Sequence, residues 1–189
     1  MGESIMLEIL KETGALLEGH FLLTSGKHSK EYVQCAKILR YPDKAAQVLQ
    51  PVAEQLKDLK PDLLVGPAMG GIIVAYELGR QLGIEAIFTE RVDGKMELRR
   101  GFEIPKGSRI VICEDVVTTA KSSLEVKDLL EEMGGEVIGL ASIIDRTAGN
   151  VDVDIISAIQ LHIDTFDKED CPMCKEGLPY VKPGSRKIK

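Results

Sequence analysis

Glu114 and Asp115 are adjacent carboxylates that follow an apolar run, Ile110 to Cys113, and precede two hydroxyl side chains, Thr118 and Thr119. The loop from Val116 to Lys121 can aim backbone N–H groups, both threonine hydroxyls and the positive end of the next helix at one anion such as phosphate. The two carboxylates would repel that anion, so they must face hydroxyl donors or a hard cation such as Mg²⁺. Together these residues predict a phosphorylated polyol as ligand, bound with metal. The plainer alternative is a solvated acidic turn between a strand and a helix. Asp115 to Ser122 shares the spacing of a nucleotide P-loop but lacks both glycines, and no G-x-G-x-x-G run occurs, which argues against that kind of nucleotide site.

The elements that must position these groups can be read around them. Ile110 to Cys113, preceded by Pro105 and Gly107, reads as a buried parallel strand with the carboxylates at its end. Ser122 and Glu125 form the S-x-x-E signal of a capping box, opening a helix with Val126, Leu129, Leu130 and Met133 on its apolar face and Gly134-Gly135 as its stop. A second strand, Pro61 to Val65, enters the Gly-rich turn Gly66-Pro67-Ala68-Met69-Gly70-Gly71, and a helix through Ala75, Leu78 and Leu82 to Gly83 follows. That turn is either another anion site or a tight connection with no ligand. Ala86 to Thr89 and Val137 to Ile144 are further strands, the latter ending at Asp145-Arg146, and Asp154 to Leu161 closes the sheet as an edge or antiparallel strand. Between Glu90 and Arg100, the basic residues Arg91, Lys95, Arg99 and Arg100 show no burial pattern, and Gly94 offers a hinge. The fold class is therefore α/β, an open, mainly parallel sheet flanked by helices, with ligands expected at the carboxyl ends of its strands.

The flanks are less regular. Ser4, Met6, Leu7 and Leu10 with Gly14 as a stop predict a short N-terminal helix, and Gly19 to Cys35 predicts a hairpin around Ser25-Gly26-Lys27. His20 and His28 read as surface residues of that hairpin. Asp43 reads as the cap of a helix carrying Ala45, Leu49, Val52 and Leu56, with a kink or break at Pro51. The tail from Asp164 to Lys189 is polar and reads as irregular, with Lys182 to Arg186 able to fold back near the hairpin.

Length and composition bound the class. A chain of 189 residues suits one domain with a proper core, needing no disulfide or metal to hold it. With 24 Lys+Arg against 30 Asp+Glu, the net charge of −6 argues against broad electrostatic binding of nucleic acid. No basic start with a long apolar core marks a signal peptide, and no apolar run reaches the ~18 residues of a membrane span, so a cytoplasmic protein is expected. Cys113 reads as core. Cys171-Pro172-Met173-Cys174 has the spacing of half a zinc site, yet no second pair follows and His162 is the nearest histidine, so a surface loop is expected.

Ile110 to Ser122 resembles the phosphoribosyl pyrophosphate (PRPP) signature of type I phosphoribosyltransferases: apolar strand, acidic pair, two apolar residues, Thr-rich turn. It departs at Ala120-Lys121, where that family usually has glycine, so a positive φ at Ala120 would be strained. Phe21-x-Leu23-x-Ser25-Gly26 with Ser29 and Tyr32 is similar to the base-covering hood of the orotate branch, although Thr24 stands where many members have lysine. Gly66 to Gly71 resembles the pyrophosphate loop, and Arg91 to Phe102 lies where the branch has a mobile basic loop, but without its Lys-x-His-Gly-Glu pattern.

For activity, the resemblance implies transfer of the phosphoribosyl group from Mg²⁺-bound PRPP to orotate, in UMP biosynthesis. Mg²⁺ would be held mainly through PRPP. Glu114, Asp115 and Lys95 would be catalytic. PRPP would be bound by Glu114, Asp115, Val116, Val117, Thr118, Thr119, Ala120, Lys121 and Ser122, by Arg91 and Lys95, and by Ala68, Met69, Gly70 and Gly71. Thr118 and Arg146 would contact orotate. The resemblance further implies one domain over 1–189 with a hood from about 1–40 to which the tail can add, and a homodimer sharing the basic loop. A transferase for another base and a PRPP-sensing regulator remain the alternatives.

Overall fold

Alternation of apolar side chains along each strand sends successive residues to opposite faces, and here both faces are buried. The computed structural model describes residues 3–23 and 25–183, so Thr24 and the fold-back expected of Gly184 to Arg186 lie outside the described residues. Five parallel strands form the central sheet: β3 (Leu63–Pro67), β4 (Glu85–Val92), β6 (Arg109–Val117), β7 (Glu136–Asp145) and β8 (Ile155–Gln160). A sixth, β5 (Lys95–Leu98), pairs antiparallel with β4, giving the order β5-β4-β3-β6-β7-β8. β8 is thus an edge, parallel to β7.

On one face, Leu64, Val111, Cys113, Ala141 and Ile143 pack with α1 (Glu3–Glu12), α2 (Ala36–Leu39), α3 (Pro42–Leu59) and α4 (Gly70–Leu82). On the other, Val65, Ile110, Ile112 and Leu140 meet Val126 and Leu130 of α5 (Lys121–Glu132). Full burial of each such Leu, Ile or Val contributes about 1.5–3 kcal/mol. Cys113 is core, as its apolar neighbours predict. Met133, by contrast, is exposed at the C-cap of α5 and leaves the predicted apolar face to Val126 and Leu130.

Two helix starts differ from expectation. α3 runs unbroken through Pro51, because Val48, Leu49, Val52, Ala53 and Leu56 bury one continuous face around the missing N–H. Its N-cap is Tyr41, with Pro42 at the first helical position and Asp43 in the first turn rather than capping. At α5, Ser122 and Glu125 form no capping box: the N-cap is Ala120, without a side-chain hydrogen bond, and Glu125 is engaged by Arg91 and the Met96 N–H.

A second, three-stranded sheet stands apart: β1 (Leu16–Leu22) and β2 (His28–Val33) form the expected hairpin, and β9 (Thr165–Phe166) joins β2. The tail is more ordered than its composition predicts. Besides β9 it holds α6 (Pro172–Lys175), and Val181 exchanges backbone bonds with β1, its N–H donating to His20 O at 2.8 Å and its carbonyl accepting from Leu22 N at 2.9 Å. His20 and His28 are buried, not on the surface, because this returning segment covers them. No helix among the described residues is long and apolar enough to cross a membrane.

Candidate active site

In an open parallel sheet, a crevice forms where neighbouring strands connect in opposite directions, and ligands bind there, outside the carboxyl ends. Here that point lies between β3 and β6: β3 leads through α4 to β4 on one side, and β6 leads through α5 to β7 on the other. Both turns expected to bind anions therefore open on the same crevice. The carboxylates are not in a loop beyond the strand, however; β6 extends through Val117 and carries both.

The period of two then separates the acids. Asp115 follows Cys113 toward α4, and Glu114 follows Ile112 toward α5, where Ser123 Oγ donates to Glu114 Oε1 at 3.3 Å. A Cβ added at Gly70 would lie 2.5 Å from Asp115 Cγ, and one at Gly71 would lie 2.4 Å from the Cys113 carbonyl oxygen and 3.3 Å from Glu114 Oε2. A Cβ added at Gly66 would be as tightly placed, 2.2 Å from Gly71 O. The absence of side chains at Gly66, Gly70 and Gly71 is what lets the α4 turn close onto the carboxylates. The Ala68–Met69 peptide in this turn is cis.

Burial and mutual proximity set the charge state. Burial, then the charge of Asp115, pushes the Glu114 carboxyl up to about 8, against a smaller opposing effect of the Ser123 hydroxyl. Burial also raises Asp115, while the backbone N–H of Val116, 3.0 Å from Oδ1, pulls it back. Donors or a cation arriving at this pair favour its ionised form.

Both adjoining helices begin without a side-chain cap, at Met69 for α4 and at Ala120 for α5. Their first-turn N–H groups, Gly70-Gly71 and Lys121 to Ser123, have no acceptor within the helix, as at any helix start. Ala120 adopts φ +52°, the left-handed conformation that the missing glycine raised as a concern, and this costs roughly 1 kcal/mol.

Asp145 and Arg146 form no ion pair with each other. Asp145 is buried and accepts from the Thr147 N–H at 2.7 Å, while the Arg146 N–H donates to Val117 O at 2.8 Å, which places Arg146 beside the start of the Thr118 turn. Its Nε is buried without a protein partner. Burial lowers the guanidinium from its usual value, and the nearby Glu31 of β2 partly opposes this. A half-buried guanidinium whose Nε lacks a protein partner suits an anionic, planar ligand.

The basic run is not an irregular loop. Asp93 and Gly94, both at positive φ, form the two-residue turn of the β4–β5 hairpin, an Asp-Gly signal that the charge pattern obscured. Arg91 bonds to Glu125 of α5 at 2.8 Å, and Arg100 pairs with Glu90 at 2.7 Å. Lys95 is exposed and makes no ion pair among the described residues. Thus Glu114, Asp115, Gly70, Gly71 and the Val116–Ser122 turn are brought together, whereas Arg91 is held by an exposed ion pair. A hollow of about 630 Å³ lies elsewhere, between the β1–β2 hairpin and the tail, and no residue of the carboxylate turn lines it.

Comparison with known proteins agrees with this geometry. Residues 37–168 match the family model described as a phosphoribosyl transferase domain. The orotate phosphoribosyltransferase of Caldanaerobacter subterraneus subsp. tengcongensis is 51% identical, with 100% of each chain covered. Among solved structures, the orotate phosphoribosyltransferase of Aeropyrum pernix superposes with a TM-score of 0.70 at 26% identity, over 82% of this chain and 93% of that one. The Leishmania donovani UMP synthase gives a TM-score of 0.71 at 25% identity, over 85% of this chain but 37% of that longer chain.

Proposed function

The chain belongs to the phosphoribosyltransferase family, and from that premise we infer that it is an orotate phosphoribosyltransferase, joining orotate N1 to the ribose C1 of PRPP with release of pyrophosphate. The product is orotidine 5′-monophosphate, the precursor of UMP. The observation that carries this reading is the pair of uncapped helix starts, α4 and α5, facing one crevice around the half-buried Glu114–Asp115 pair.

Each residue has a task in this reading. The turn from Thr118 to Ser122 holds the 5′-phosphate through N–H and hydroxyl donors. Ala68 to Gly71 hold the pyrophosphate, with Arg91 and Lys95 brought over it when the Arg91–Glu125 pair opens. Exposed pairs of this kind are worth about 1 kcal/mol or less, so that opening is cheap. Glu114 and Asp115 accept from the ribose hydroxyls, and those donors draw Glu114 into its ionised form. As the bond from C1 to pyrophosphate lengthens, positive charge grows on the ring, and the carboxylates favour it. Arg146 pairs with the orotate carboxylate, and Thr118 contacts the base.

Two oxygen-donor carboxylates held by burial fit a hard cation, so Glu114 and Asp115 are the groups able to face Mg²⁺ carried in by PRPP. When bound, the metal supplies charge neutralisation for the departing pyrophosphate. The same reading takes the protein to be a cytoplasmic homodimer. Met69, Ile73 and Tyr76 support a second copy: they are 81%, 45% and 70% exposed at helical spacing along α4, an apolar stripe beside the pyrophosphate turn.

The test is a panel of free bases incubated with PRPP and Mg²⁺, following pyrophosphate release. Orotate is expected to be consumed and uracil and adenine not. Turnover of a base lacking a carboxylate in preference to orotate would remove the assignment.

A further inference from the structure

Four side chains unused by that chemistry converge in the hood. His20 on β1 and His28 on β2 face Cys171, the N-cap of α6, and Cys174 within its single turn, and their ligand-capable atoms all lie within 4.8 Å of one another. His20, His28 and Cys171 are buried and Cys174 is half-buried. The Cys-x-x-Cys spacing, which lacked a partner pair in the sequence, meets one here.

The hydrogen-bond pattern is what points to a cation. His20 Nδ1 lies 2.9 Å from the Leu178 carbonyl oxygen, which can only accept, so Nδ1 carries a proton and in the neutral ring Nε2 presents a lone pair. Toward that one lone pair come His28 Nδ1 at 2.6 Å, Cys171 Sγ at 3.5 Å and Cys174 Sγ at 3.8 Å, and Cys174 Sγ is also 3.4 Å from His28 Nδ1. One lone pair cannot satisfy three neighbours, but a cation at the centre satisfies all four atoms. The Leu178 carbonyl then serves as the outer partner that fixes tautomer and ring orientation in metal-bound histidines.

Geometry and ligand chemistry select the ion. With bonds of about 2.3 Å to sulfur and about 2.05 Å to nitrogen, a tetrahedral site has four S···N edges of about 3.6 Å, and three of them here measure 3.4–3.8 Å, the fourth lying within 4.8 Å. The N···N edge would be about 3.3 Å, so the two imidazoles must spread by less than about 1 Å on loading. Two thiolates and two imidazoles suit zinc and exclude Mg²⁺ and Ca²⁺, and two thiolates balance the charge of the divalent ion. The Tyr180 ring packs edge-on over both imidazoles, with centroids 5.8 and 5.2 Å away. A covered site with four protein ligands is a structural one, without an open position for substrate.

We propose that His20 Nε2, His28 Nδ1, Cys171 Sγ and Cys174 Sγ form a closed tetrahedral Zn²⁺ site that fastens the returning C-terminal segment onto the β1–β2 hairpin. The other polar ties between the two among the described residues are few: the two-residue β9, the backbone bonds of Val181, the His20–Leu178 contact, Ser29 Oγ donating to Asp164 O and an exposed Lys27–Asp167 ion pair. The ion cross-links positions more than 140 residues apart, His28 to Cys174 being separated by 146. Its role is to hold the hood in shape, independent of which base the enzyme uses.

The full chain, purified without chelator or metal-affinity tag, is analysed for bound metal by mass spectrometry. About one zinc per chain is expected. Cys174→Ser should lower zinc affinity by more than about a hundredfold, since even outer partners of metal ligands contribute about 10- to 100-fold. His162→Ala, which changes a histidine outside the cluster, should retain the metal. Stripping with a strong chelator should speed tryptic cleavage at Lys168 and Lys175 by at least about tenfold, reversed by added Zn²⁺. Co²⁺ in its place should show the visible bands of a tetrahedral thiolate complex.

A natively folded wild-type chain that contains no zinc and takes up neither Zn²⁺ nor Co²⁺ overturns the proposal, as does a Cys171–Cys174 disulfide in the native protein. Should Cys174→Ser fail to fold, the wild-type stripping and reloading experiment decides alone.

Discussion

Gly70→Ala and Gly71→Ala add the same methyl group one residue apart, yet the two should fail in different ways. At Gly70 the new Cβ would meet the Asp115 carboxylate, with Cγ at 2.5 Å and Oδ2 at 2.6 Å, a side chain that can rotate away. Displacing it removes a charge-assisted hydrogen bond to a ribose hydroxyl, about 1.5–3 kcal/mol, or roughly a tenfold to hundredfold fall in kcat/KM for PRPP. Stability should change little, because the overlap is relieved by that rotation and alanine favours the helix by about 1 kcal/mol. At Gly71 the methyl would meet the Cys113 carbonyl oxygen at 2.4 Å, in the centre of a paired strand that cannot move alone. Overpacking there should cost about 1–3 kcal/mol, and each kcal/mol lowers Tm by about 2–4 °C in a chain of this size. The assay pairs steady-state pyrophosphate release with thermal denaturation of both variants. Wild-type kcat/KM in Gly70→Ala, or equal loss of stability in the two, would refute the placement of Asp115 against the α4 turn.

Arg146→Ala should raise the KM for orotate by at least about tenfold while leaving PRPP affinity within about twofold, since it deletes a charge-assisted partner that only the base can use; equal loss of PRPP affinity in a binding titration counts against that role. Glu114 binds its proton more tightly folded than unfolded, so its contribution to stability is present at low pH and is lost as pH rises from about 4.3 toward about 8. Denaturant unfolding at pH 5.5 and 7.5 should show a loss of up to about 1.4 kcal/mol per pH unit that Glu114→Gln removes, and an unchanged slope in that variant would reject the assignment. Asp115→Asn protein mixed with an Arg91→Ala, Lys95→Ala double variant should regain activity after subunit exchange if the β4–β5 hairpin serves a neighbouring subunit. Continued inactivity, with exchange verified by mass, would assign the hairpin to its own chain.

Much of the site was legible because its determinants are local. An apolar run followed by Glu114-Asp115 and a Thr-rich turn states a strand, two carboxylates and an anion loop within a few residues, but the structure decided that the strand runs on through both acids, so that its period of two separates them. Gly66 to Gly71 likewise declares a tight strand-to-helix turn, whereas the positive φ of Ala120 was raised only by the resemblance to a family that has glycine there. Where local signals competed, tertiary contacts decided. Glu125 had the spacing to cap α5 but bonds to Arg91 and Met96 instead, since the β4–β5 hairpin brings a guanidinium and a backbone donor to it. Pro51 reads as a helix breaker, yet the buried face of α3 outweighs one lost hydrogen bond.

The hood shows the limit most plainly. His20 and His28 looked exposed and Cys171 and Cys174 looked half complete, because each pair lacks partners within its own stretch of chain. The sequence by itself determined the residue types and the spacing within each pair. Only the return of the C-terminal segment along β1, over a separation of 151 residues between His20 and Cys171, decided that the pairs face one another. Residues so far apart leave no periodic trace in a sequence, since their proximity is produced by the packing of everything between them.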